Sequence, residues 1–459
     1  MKLKNTRLLI TAAAAVASAS LHAEVKPNIL FTDGAVLQRG QNVPIWGTAN
    51  DGEKVTVEFA KQTVTTTARD GKWRVELKPL EAGGPFTLKI SGDNKVTVKD
   101  LLVGEVWLAS GQSNMEWKFS ASHNSKEEAP KAKHPKIRMF TVAKATSLQP
   151  LDEVKGSWEE CSPETVGKFS AVGYYFARDL HAELGVPVGV IHSSWGGTPA
   201  QAWTSAEGFD GHPELKGYAD QLKATALPEK GQNFPAALYH AMIAPVVPYA
   251  MKGVIWYQGE SNAQKSKEYQ TLFPAMIADW RAKWKIGDFP FLYVQIAPFK
   301  GQPPEIREAQ LLTLSNTKAT AMTVTTDVGD ANDIHPKQKE PVGHRLSLAA
   351  RALAYGAKIE YSGPLFESMK TQRDKAALSF RHAGGGLVAK DGELKGFTLA
   401  GANGKFVPAK AEIQGDKVIV SAEGVNAPKA VRYGWENVPD VNLFNKEGLP
   451  ASPFRTDLP

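Results

Sequence analysis

A serine set among small and amide residues, Gly111-Gln112-Ser113-Asn114, follows directly on an apolar run, Val106-Trp107-Leu108. A serine hydroxyl is a poor nucleophile until an imidazole accepts its proton. Three later clusters supply what it lacks. They are His192-Ser193-Ser194-Trp195-Gly196-Gly197-Thr198, Gln258-Gly259-Glu260-Ser261-Asn262, and Asp330 followed by Asn332-Asp333-Ile334-His335-Pro336. Hydroxyl, glycine amides, a side-chain amide, carboxylates and imidazole form the set that acyl transfer requires. Ser113 fits the nucleophile, His335 the base, and Asp333 the carboxylate that fixes the imidazole tautomer. Asp330 or a main-chain carbonyl could hold the ring instead, and His344 is a rival base. The developing oxyanion needs preorganised donors, each worth about 3 kcal/mol. The N–H of Ser113, an N–H at Gly196 or Gly197, and the amide of Gln258 are the candidates. Glu260 could bind substrate hydroxyls or be a buried carboxylate. Trp195 could stack on a sugar ring, and Arg307 could lip the site. Trp107, Trp117, Trp203 and Trp256 also lie near the motifs, where tryptophans are more often core.

These groups must be gathered by a scaffold. From 24 to 103 short alternating runs such as Val55-Thr56-Val57-Glu58-Phe59 are punctuated by Asp51-Gly52 and Asp70-Gly71. A period of two with frequent turns predicts an N-terminal β-sandwich. From 104 to 357 the rhythm changes. Continuous apolar runs at Val106–Leu108, Val188–Ile191, Val254–Tyr257, Phe291–Ile296 and Thr320–Thr325 alternate with amphipathic stretches. Leu272, Phe273, Met276, Ile277, Trp280 and Trp284 recur at helical spacing, as do Val342, Leu346, Ala349, Ala350 and Leu353. This predicts an α/β domain whose parallel sheet is covered on both faces. In such sheets ligands bind outside the carboxyl ends of the strands, where each reactive cluster falls. From 358 to 459 short strand candidates, Ala377–Phe380, Phe397–Leu399 and Lys417–Val420, predict a C-terminal β region.

The first 23 residues are of another kind. Lys2, Lys4 and Arg7 precede an Ala-rich apolar stretch, with small residues around Ala19 and Ala23 where cleavage could fall. This reads as an export signal, giving a periplasmic or extracellular protein. The mature chain contains no run long and apolar enough to span a membrane. The formal charge of +6 includes those three leader charges, leaving about +3, and no basic block points to nucleic acid. Cys161 is the only cysteine, which excludes an intrachain disulfide. The ten histidines form no HExxH or HxH pair, so no metal site is expected.

Taken in order, GQSNM, SSWGGTPAQAW, WYQGESNA and NDIHP resemble the sialate O-acetylesterase-like carbohydrate esterases of the SGNH-hydrolase superfamily. The resemblance extends from FTDGAVLQRG near the start to NLFNKEGLPASPFRTD near the end. It implies a three-layer α/β/α core flanked by the two β regions. It also implies cofactor-free removal of acetyl groups from sugar hydroxyls, with an O-acetylated sugar or glycan as substrate. Carried onto this chain it makes Ser113 the nucleophile and His335 the base, and it puts a glycine of GGT and Gln258 in the oxyanion hole. One position departs from it. Many superfamily members carry the orienting aspartate three residues before the histidine, where this chain has Asn332. Two other readings stay open. One is an esterase of acetylated xylan or another plant polysaccharide; the other is a non-catalytic carbohydrate-binding protein. Neither the preferred sugar nor the oligomeric state is legible.

Overall fold

The computed structural model describes residues 24–457. The expected export signal, residues 1–23, falls outside the described residues. Seven strands build the central sheet: β1 (Lys95–Gly111), β2 (His134–Thr141), β3 (Trp158–Cys161), β4 (Val188–Ser194), β5 (Gly253–Tyr257), β6 (Phe291–Val294) and β7 (Thr320–Thr323). Their spatial order is β3-β2-β4-β1-β5-β6-β7. All neighbours are parallel except β3, which pairs antiparallel at the edge. The alternation of runs and amphipathic stretches produces this order. β4, β5 and β6 are buried along their whole length, as strands covered on both faces must be.

The cover comes from helices α1 (Ser113–Glu116), α2 (Ala171–Leu184), α3 (Ser266–Trp284), α4 (Pro304–Asn316) and α5 (Glu340–Tyr355). Helix α2 packs with α5, and α3 with α4. Leu272, Phe273, Met276, Ile277, Trp280 and Trp284 all point inward from α3, so the spacing seen in the sequence is the buried stripe. Ser170 caps α2 by accepting the N–H of Gly173 at 3.1 Å.

The N-terminal region is two small sheets. One holds Lys26–Pro27, Val43–Thr48 and Lys72–Leu77; the other holds Val36–Gln38, Lys54–Phe59, Gln62–Thr67 and Gly83–Ser91, and it continues into β1. The change of rhythm near residue 104 is therefore no linker. It lies inside one 17-residue strand. The first half of β1 pairs with Gly83–Ser91, and its second half enters the central sheet between β4 and β5. From Leu101 onward every residue of β1 is buried. The rhythm marks a passage from one covered face to two. One continuous apolar core accordingly runs from Val25 through the central sheet to Leu365.

The C-terminal region differs. Two four-stranded antiparallel sheets, containing Lys375–Arg381, Lys417–Ser421 and Phe397–Ala400 among their strands, enclose a separate core around Leu378, Leu399, Val420 and Phe454.

The N-terminal strands are fastened to β1 by the carboxylate of Glu105. It is buried and accepts from Arg39 Nε at 2.5 Å and from Gln38 Nε2 at 2.9 Å. Arg39 is one-third exposed, so water screens part of the pair. Arg39→Met leaves a buried carboxylate with one partner fewer. It is expected to lower the unfolding free energy by about 2 kcal/mol, measured by urea denaturation.

Candidate active site

The turn after β1 is set by a steric constraint. Gly111 has φ +137°, and a Cβ there would lie 2.2 Å from the carbonyl oxygen of Tyr257 at the end of β5. Only glycine allows the two strand ends this close. The next N–H, of Gln112, donates to that same carbonyl at 3.0 Å. The chain then reverses into α1, which begins at Ser113. Ser170 pins the turn by donating to the carbonyl of Met115 at 2.6 Å. Ser113 is left half-buried. Among the described residues, neither its hydroxyl nor its N–H has a hydrogen-bond partner in the protein.

His335 lies in the loop between β7 and α5, and two contacts bring that loop onto the turn. The ring of Trp117 stacks on the His335 ring, with centroids 5.2 Å apart and planes 21° apart. Asn114, next to Ser113, donates from Nδ2 to the carbonyl of Ile334 at 3.0 Å. The hydroxyl and imidazole thus share one rim of the sheet, although no hydrogen bond joins them in this structure. Such contacts often tighten only with substrate in place. Asp333 faces the ring: its Oδ1 is 3.7 Å from His335 Nδ1 and accepts the His335 main-chain N–H at 2.9 Å. Partial burial lowers the His335 pKa below the ordinary imidazole value; Asp333 opposes that shift and Lys339 adds to it. The rivals fall elsewhere. Asp330 accepts the N–H groups of Asn332 and Asp333, shaping the loop rather than holding the ring. His344 is half-exposed on α5 and paired with Asp179 at 2.8 Å.

The oxyanion candidates divide. Gly196 packs on the serine, since a Cβ added to it would lie 3.3 Å from Ser113 Cβ. Its N–H, however, donates to Glu116 Oε2 at 2.6 Å, while Lys144 holds the other carboxylate oxygen at 2.6 Å. The next N–H, of Gly197, has no protein partner among the described residues, and its φ of +75° suits glycine. Gln258 is fully buried. Its Nε2 donates to Asn262 Oδ1 at 2.6 Å and to the carbonyl of Thr198 at 3.3 Å, and its Oε1 accepts from Tyr269 at 3.0 Å. That amide is bound into the wall, which corrects the expectation that it faces the oxyanion. The donors that stand free are the N–H groups of Ser113 and Gly197. Among the described residues no group of three or more His, Cys, Asp or Glu is arranged to hold a metal ion.

Comparison with known proteins finds relatives over most of the chain. Residues 103–352 match the family described as carbohydrate esterase, sialic acid-specific acetylesterase. Human sialate O-acetylesterase is 31% identical over 89% of this chain and 88% of its own length. The mouse sialate O-acetylesterase is 30% identical over 89% and 90%. A crystal structure of a carbohydrate acetylesterase from Xanthomonas citri superposes with a TM-score of 0.88 and 41% identity, covering 95% of this chain and all of that one. The chain belongs to this carbohydrate esterase family. It is a carboxylic ester hydrolase with an SGNH-type core.

The remaining predicted residues separate into lining and scaffold. Trp195 is half-buried beside Gly196, with the Lys144 ammonium 5.4 Å from its ring centroid. Trp107, Trp203 and Trp256 are fully buried core. Glu260 is buried and accepts from Asn114 Nδ2 at 2.6 Å, so it is bound into the site's support rather than open to substrate. Burial raises its pKa. Arg307 is not a lip of the site. Its guanidinium is fully buried and donates to the carbonyls of Glu436 and Asn437, clamping the C-terminal region onto α4. Three side chains that the sequence reading passed over belong to the site: Asn114, Glu116 and Lys339. Asn114 and Glu116 could have been found, since they flank Ser113 on a single helical turn. Lys339 gave no signal, because a lysine before an amphipathic helix ordinarily points to solvent.

The constraint at Gly111 has a measurable consequence. Gly111→Ala forces a side chain against the Tyr257 carbonyl at a strained φ. It is expected to cost at least about 3 kcal/mol of stability by urea denaturation, and to abolish esterase activity in whatever folds.

Proposed function

We propose that this chain removes O-acetyl groups from sialic acids and related sugars through a covalent acetyl-enzyme on Ser113. The observation that carries the reading is the convergence, on one rim of the parallel sheet, of an unpartnered serine hydroxyl, an imidazole facing a carboxylate, and two free main-chain N–H donors. The relatives bearing the name sialate O-acetylesterase support the choice of sugar.

In the first step Ser113 Oγ attacks the acetyl carbonyl carbon while His335 Nε2, the nitrogen turned from Asp333, takes the hydroxyl proton. The carbonyl π pair moves onto oxygen, where the N–H groups of Ser113 and Gly197 receive it. Collapse breaks the bond to the sugar oxygen, which takes the proton from the imidazolium. Water then attacks the acetyl-serine, His335 accepts its proton, and that proton returns to Ser113 Oγ as acetate leaves. Asp333 steadies the imidazolium in both halves. The basic, Ala-rich leader supports export, which would bring the enzyme to extracellular glycans.

The test is acetate release from O-acetylated sialic acids, acetylated xylo-oligosaccharides and acetylated pectin, with p-nitrophenyl acetate as control. Preference for the sialic acids is expected. Glycan binding with no ester cleavage by the wild type would overturn the reading in favour of a lectin-like role. Ser113→Ala should lower kcat by at least about a thousandfold with the fold intact.

The pH dependence has a definite sign. Only neutral imidazole can act as base, so kcat/KM falls as pH drops through the His335 pKa. Because burial lowers that pKa, the acid limb should lie below the ordinary value of 6.5. Asp333 raises it, so Asp333→Asn should move the limb to still lower pH while reducing kcat. A limb that stays fixed in this variant would remove Asp333 from its assigned place.

A further inference from the structure

We propose that Lys339 is a positioning residue for ester cleavage: its ammonium orients the amide of Asn114 and so locks the loop bearing His335 onto the turn bearing Ser113. The inference rests on the reading of Ser113 and His335 as nucleophile and base.

Lys339 lies immediately before α5 and is 1% exposed. Its Nζ donates to Asn114 Oδ1 at 2.5 Å. A lysine ammonium can only donate and a main-chain carbonyl can only accept, so these two partners fix which way the amide points. Oδ1 must face Lys339, and Nδ2 must face the carbonyl of Ile334 at 3.0 Å and Glu260 Oε1 at 2.6 Å. Asn114 is itself fully buried and uses both of its N–H bonds in this way. A single side chain therefore joins three separate stretches: the nucleophile turn, the segment after β5 and the histidine loop. Without the ammonium, Oδ1 loses its one donor in this set, and the amide is held from its Nδ2 side alone. The donor to the peptide just before His335 is then less firmly held.

The same ammonium also acts on the base by charge. It lies 5.8 Å from the ring centroid of Trp117, the residue stacked on His335, and 5.5 Å from that of Tyr257. The ionisable groups acting on Lys339 are Glu260 and Asp333, both favouring its charged form against burial, which brings its pKa down to about 7. Those acting on His335 are Asp333, which raises its pKa, and Lys339, which lowers it. Charged Lys339 thus helps keep His335 neutral as pH falls. A lysine serving only as packing would have no such effect on the base.

Two variants separate these contributions. Lys339→Met removes donor and charge together, whereas Lys339→Gln keeps an N–H donor without charge. Lys339→Met should lose at least about tenfold in kcat on p-nitrophenyl acetate and move the acid limb of kcat/KM to higher pH. Lys339→Gln should recover part of kcat and keep the shifted limb. Stability of each variant is followed by thermal melting. If Lys339→Met folds with wild-type kcat and an unmoved limb, the proposal is wrong. If Lys339→Met does not fold, Lys339→Gln decides: an unmoved limb in that variant overturns the proposal. Retained activity in Ser113→Ala would instead overturn the underlying site, so the two failures are told apart.

Discussion

The approach of two strand ends at Gly111 is the constraint on which the site depends. β1 and β5 are parallel neighbours, and their last residues come together because no side chain stands between them. The carbonyl of Tyr257 then accepts from Gln112, which fixes where the chain turns. Everything that touches Ser113 follows from that turn. Asn114 is sent inward to the buried polar cluster, Trp117 outward over the imidazole, and Glu116 across to Gly196. A strained, sterically exclusive backbone position of this kind persists only when its surroundings over-determine it. Here the surroundings are the middle of a sheet buried on both faces.

Around the turn the site is built chiefly from amides whose partners leave them no freedom. Gln258 is held by Asn262, Thr198 and Tyr269; Gln310 donates to the carbonyls of Gln258 and Val294 and accepts from Ile296. Buried amides are costly unless satisfied, and satisfied ones rigidify what they touch. The contrast with Ser113 and Gly197 is informative. The unmatched polar atoms of the wall, such as the Tyr257 hydroxyl and Glu260 Oε2, are buried, whereas the Ser113 side chain and the Gly197 peptide, without protein partners among the described residues, are at least partly exposed. The Glu116 carboxylate, held from the other side by Lys144, keeps the Gly196 peptide oriented, and with it the Gly197 N–H that follows.

Much of this could be read from residue order. The apolar runs gave the strands at Val188, Gly253, Phe291 and Thr320 because strands covered on both faces have no polar side to alternate with. The stripes on α3 and α5 were legible for the matching reason. The chemistry-bearing clusters were legible because each follows a run, and parallel strands put such positions on one edge. What escaped was whatever depends on a partner far away in sequence. Gln258 looks like a donor to substrate until Asn262 and Thr198 are seen to use both of its N–H bonds. Arg307 looks like a lip until the carbonyls of Glu436 and Asn437 are found against it. The change near residue 104 looks like a join between domains, because periodicity reports how many faces are covered and not where a chain can be cut.

The two appended β regions therefore differ in kind. The C-terminal one has an interior of its own and is tied to the esterase body by buried polar contacts, Arg307 with the Glu436 and Asn437 carbonyls and Gln295 with Ser452, beside the Arg455–Glu308 pair at 2.7 Å. The N-terminal one shares both a strand and an interior with the sheet that positions the serine. It is less a module than a continuation of the central sheet, so drift in its hydrophobic residues would reach the turn that carries Ser113.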